Sequence, residues 1–85
     1  MTIVKINTGE KTETFNCGEV IPTHIRRCVI KCIYRLYNEN KPKQEYISKS
    51  LKKIKNNEVE KYFYNGYIII TVTTDGVESF YVYLG

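Results

Sequence analysis

A chain of 85 residues with a formal net charge of +4 is long enough for one small domain with a single modest core, and too short for two. No apolar run approaches the roughly 20 residues that span a bilayer, and no apolar leader opens the chain, so a soluble cytoplasmic protein is expected. Three cysteines form an odd set without a secretory signal, which favours reduced thiols over a disulfide framework.

TIVKIN and KTETFN flank a polar turn around Gly9. Alternation of Val4 and Ile6, then Phe15 and Cys17, predicts an N-terminal β-hairpin with one buried face. Pro22-Thr23 ends the extended chain and offers a hydroxyl N-cap for a helix. At about 100° per residue, His24, Arg27, Lys31, Arg35 and Asn38 fall on one narrow stripe, while Ile25, Val29, Ile30, Cys32, Ile33, Tyr34, Leu36 and Tyr37 cover the rest. An apolar arc that wide belongs to a mostly buried helix.

NENKPK, residues 38–43, breaks this helix, and Pro42 is placed to start a second one. In QEYISKSLKKIKNN, Ile47, Leu51 and Ile54 make a thin apolar stripe opposite Lys49, Lys52, Lys53 and Lys55, which predicts a surface helix. The last third, VEKYFY-NG-YIIITVTT-DG-VESFYVYL, has β-branched and aromatic runs separated by dipeptides that favour tight hairpin turns. It predicts a three-stranded antiparallel meander. Two-residue loops would place Tyr62, Tyr64, Ile69, Phe80 and Val82 on one face, and Phe63, Ile70, Val72, Tyr81 and Tyr83 on the other. Both faces being apolar, one packs the helices and the other needs cover, from the N-terminal hairpin or from a second copy of the chain. The expected fold is therefore α+β in the order ββααβββ, a single domain over 1–85 with both helices on one sheet face.

Catalysis is poorly supplied. The chain has one Asp, one His, no nucleophile elbow and no glycine-rich loop before a helix, so a non-enzymatic protein with no small-molecule substrate is expected. Cys17, His24, Cys28 and Cys32 lie within sixteen residues and match the ligand types of zinc, but the short Cys-x-x-Cys knuckle is missing. Cys28 and Cys32 as small core fillers, with Cys17 closing a strand, is the better account, so no metal and no cofactor are assigned.

Charge carries the stronger signal. Segment 23–57 holds ten Lys and Arg against Glu39 and Glu45, a net of +8, and the remainder holds three Lys against seven acids, a net of −4. Arg26, Arg27, Lys31, Arg35, Lys49, Lys52, Lys53 and Lys55 are the candidate binding set for nucleic acid or an acidic protein surface, provided they share one outward flank. The competing explanation is a merely solvated face, with Arg26 paired to Glu19 or Glu58. An alternative surface is aromatic: Tyr62, Tyr64, Tyr81 and Tyr83 would serve a protein–protein inhibitor or a homodimer, tyrosine being enriched at interface hot spots. No motif matches a family position by position. The profile of a short, AT-biased domain without catalytic groups and with sticky surfaces resembles the small accessory proteins of phages and other viruses of low-GC hosts, which implies inhibition of a host factor by binding.

Overall fold

The computed structural model describes residues 1–36 and 44–85. It contains one five-stranded antiparallel sheet and three α-helices, in the order β1 (Thr2–Asn7), β2 (Thr12–Gly18), α1 (Ile25–Leu36), α2 (Gln44–Ser50), β3 (Leu51–Ile54), α3 (Val59–Tyr64), β4 (Ile68–Thr74) and β5 (Val77–Tyr83). The strand order across the sheet is β2-β1-β4-β5-β3. No described helix is long and apolar enough to cross a membrane. The predicted break at 38–43, with Pro42, Lys41 and Lys43, lies outside the described residues, as do Tyr37 and Asn38.

The N-terminal hairpin forms as its alternation predicts. Val4 and Ile6 are buried, and Val4 pairs with half-buried Phe15. Rather than folding over the sheet, the hairpin extends it: β1 lies beside β4, with Val4 opposite Val72 and Ile6 opposite Ile70. The β4–β5 hairpin also follows prediction. Asp75 and Gly76 both take positive φ, 51° and 81°, the conformation a type I′ turn requires, and Ile70 stands opposite Tyr81.

On one sheet face α1 buries Cys28, Val29, Ile30, Cys32 and Ile33 against Val4, Ile6, Ile70, Val72 and Tyr81, with Ile47 of α2 completing the cluster. The helix is entered through a 3-10 turn, Pro22–His24, in which the His24 N–H donates to the Ile21 carbonyl (2.8 Å). Ile21 therefore holds the N-cap position and Thr23 makes no cap. Pro22, with no N–H to satisfy, leads the turn. Arg26 and Arg27 consequently stand beyond the first turn, where the dipole penalty on a cation has largely faded.

Residues 51–64 depart from the predicted order. The second helix stops at Ser50, whose hydroxyl donates to the Tyr46 carbonyl (2.9 Å), and LKKI continues as edge strand β3 paired with β5. Leu51 and Ile54 are three apart, a spacing that shares one helix face but opposite faces of a strand. Each finds its own core: Leu51 joins the α1 cluster, and Ile54 joins Ile69 and Val82 on the other side. The expected first strand of the meander, VEKYFY, is helix α3 instead. Val59, Tyr62 and Phe63 pack onto Ile54, Ile69 and Val82, so this helix covers the second apolar face. Helices thus lie on both sheet faces, not on one.

Asn65-Gly66 ends α3 rather than turning a hairpin. The Gly66 N–H donates to the Phe63 carbonyl (3.0 Å) and the Tyr67 N–H to the Tyr62 carbonyl (3.2 Å), the paired bonds of a Schellman cap. Only Gly66 has positive φ (79°), whereas a type I′ turn needs Asn65 positive as well. The Tyr62 and Tyr67 rings meet edge to face at 5.7 Å, supplying the apolar contact that accompanies such caps.

Candidate functional site

One groove collects most of the chemistry the chain has to offer. It runs between α1 and the end of β2 with the segment after it, encloses about 410 Å³, and is lined by Cys17, Glu19, His24, Arg27, Cys28, Lys31, Cys32 and Arg35 among others. Arg27, Lys31 and Arg35 recur every four residues, so successive turns of α1 present them along the same wall. The facing wall belongs to β2, which has a neighbouring strand on one side only.

Burial of the opposite face of α1 fixes this orientation. With Val29, Ile30 and Ile33 against the sheet, the remaining stripe must point away, and His24, Arg27, Lys31 and Arg35 are all exposed. None of Arg26, Arg27, Lys31, Arg35 and Lys49 forms an ion pair among the described residues. The proposed neutralising partners are not engaged with Arg26 either: Glu19 instead meets the Met1 ammonium (3.5 Å).

Cys17 lines the groove from a bulge in β2. Register shifts between Thr2, opposite Gly18, and Ile3, opposite Asn16, so Cys17 is the extra residue of β2. Bulges of this kind re-aim one side chain out of the ladder. Cys17 is joined by a disulfide to Cys28 of α1, across a Cα–Cα separation of 6.3 Å. This corrects the expectation of three reduced thiols: α1 packs over the face of β2 that carries Phe15 and Cys17, which brings two residues eleven apart in sequence within the span a disulfide bridges. Cys32 remains a free, buried thiol. Its sulfur lies 3.5 Å from that of Cys17. Burial pushes the Cys32 thiol up to about 11, with the Arg35 guanidinium pulling in the other direction.

The other predicted cations are dispersed. Arg26 and Lys49 line a second groove of about 480 Å³ between α1 and α2, which Arg27 borders and which also contains Glu45. Lys52 points to the other sheet face, where its Nζ lies 3.4 Å from the Tyr62 hydroxyl and 5.9 Å from the ring centroid. Lys53 and Lys55 are exposed at and beyond the β3 edge. The single cationic flank is therefore divided, because 51–54 is a strand whose successive side chains alternate between faces.

The aromatic surface divides as well. Tyr81 is 7% exposed in the α1 cluster, and Tyr83 packs against the same cluster. Tyr62 is half-buried on the inner side of α3, on the opposite side of the sheet, and Tyr64 points to solvent at 81% exposure. These four tyrosines would have shared strand surfaces only if 59–64 paired with β4. Comparisons with known protein families, with curated proteins and with solved structures find no match to this chain.

Proposed function

We propose that the protein is a small non-enzymatic binding module that takes an acidic segment of a partner protein into the groove between α1 and β2. The observation that carries this reading is the row Arg27, Lys31 and Arg35: three exposed cations on consecutive helical turns, without an ion-pair partner among the described residues, facing a sheet edge with no neighbouring strand. Burial of the opposite face sets where these cations point, and as a row without internal partners they leave their charge available to an external anion. The free edge favours a polypeptide over a nucleic acid, since an extended peptide meets unpaired strand N–H and C=O groups that a phosphodiester chain does not need. A host protein as partner agrees with the accessory-protein character of the sequence.

Fluorescence anisotropy with a labelled Asp/Glu-rich peptide, and with a single-stranded oligonucleotide of equal charge, tests the proposal. The peptide binds the wild type at about 50 mM salt and weakens at about 200 mM. The triple change Arg27→Glu, Lys31→Glu, Arg35→Glu weakens it about tenfold or more, three charge contacts of up to about 1 kcal/mol each being lost and reversed. The control Lys52→Glu, Lys53→Glu, Lys55→Glu leaves affinity within about twofold. Preference for the oligonucleotide overturns the partner class, and equal losses in the two triple variants overturn the surface.

A further inference from the structure

All three cysteines of the chain meet at one point, their sulfurs within 4.8 Å of one another. Two of them, Cys28 and Cys32, stand one helical turn apart on α1 and are buried. Core filling accounts for that pair. It does not account for the third sulfur, which comes from the edge strand β2 and sits half-buried beside them. The disulfide links Cys17 to Cys28, and the Cys32 sulfur lies 3.5 Å from that of Cys17, closer than filling the core requires. A ligand set explains all three at once. Zn–S bonds of about 2.3 Å in a tetrahedron put sulfurs about 3.8 Å apart, a spacing the trio reaches with small side-chain adjustments.

We infer that the reduced chain binds one thiophilic dication, zinc by the chemistry of its donors, through Cys17, Cys28 and Cys32, with the fourth tetrahedral position open to water. Three thiolates around a dication carry a net −1, and Arg27, Lys31 and Arg35 along the groove wall offset it. The ion and the disulfide are alternative states, because sulfurs bonded to each other have no thiolate to donate. A phosphine reductant converts the disulfide state into the metal-binding one: the disulfide gains two electrons and two protons to give two thiols, the phosphine leaves as its oxide with oxygen from water, and metal binding then releases three thiol protons. This inference does not rest on the acidic-partner reading.

The test uses the full chain, reduced with a phosphine under anaerobic conditions and titrated with Co²⁺ as the probe, followed by displacement with Zn²⁺. One Co²⁺ binds per chain with intense thiolate-to-cobalt charge-transfer absorption, and unreduced protein shows none. Cys32→Ser, which keeps the disulfide when oxidised and so reports its own folding by far-ultraviolet circular dichroism, loses at least about 100-fold in cobalt affinity after reduction. Absence of charge-transfer bands in the reduced wild type overturns the site. So does a Cys32→Ser or Cys17→Ser variant that binds cobalt as tightly as the wild type. Either result leaves the peptide-binding experiment unaffected, so the two readings fail separately.

Discussion

Gly66 shows how one residue selects between two structures that share a sequence signature. Asn-Gly serves a type I′ hairpin when both residues take positive φ, and a Schellman cap when only the glycine does. Here Gly66 alone is left-handed, and a Cβ at that position would meet nothing within 4 Å. Backbone strain is then the whole cost of adding one. Gly66→Ala should destabilise the protein by about 1–2 kcal/mol, read as a lower urea midpoint with an unchanged slope. A neutral substitution would contradict the cap. Cys17 teaches a related lesson. Its place on the buried face of β2 was legible from alternation with Phe15. Its convergence with Cys28 and Cys32 was not, since that depends on how α1 packs over the sheet.

Among the elements, α1 and the two tight hairpins were legible because pattern and packing agree in them: one wide apolar arc, two alternating strands, and a dipeptide whose turn type matches the twist of the strands it joins. Residues 51–64 were not. The i, i+3 spacing of Leu51 and Ile54 reads as a helical stripe, and the aromatic VEKYFY run reads as a strand. Each reading fails because an exposed apolar sheet face needed cover. Once α3 supplies it, Ile54 must face α3 while Leu51 faces α1. Ile54 is 6% exposed, whereas its neighbour Lys53 is exposed. Chemical denaturation should therefore find Ile54→Ala costing about 2–5 kcal/mol and Lys53→Ala within about 0.5 kcal/mol. Small effects at both positions would restore the surface helix. The lysines of β3 also have a structural use in this arrangement, since charged side chains on an edge strand discourage pairing with other chains.

At the scale of the whole molecule, the charge asymmetry of the sequence survives in a narrower form. The net of +8 over 23–57 does not cover one flank. Its helical portion splits between the grooves on either side of α1, and its strand portion straddles the sheet. What remains focused is the α1 row facing β2, and the proposed binding activity rests on that row. The described aromatic residues, by contrast, are largely spent on the two cores, with Tyr46, Tyr64 and Tyr67 exposed. The most direct measurement is backbone amide NMR of the ¹⁵N-labelled chain during titration with the acidic peptide. Shifts should concentrate on Asn16–Ile21 and on the turns of α1 bearing Arg27, Lys31 and Arg35, leaving β3 and α3 in place. Shifts centred on Lys52–Lys55, or spread evenly over every exposed lysine, would contradict the assignment of the groove.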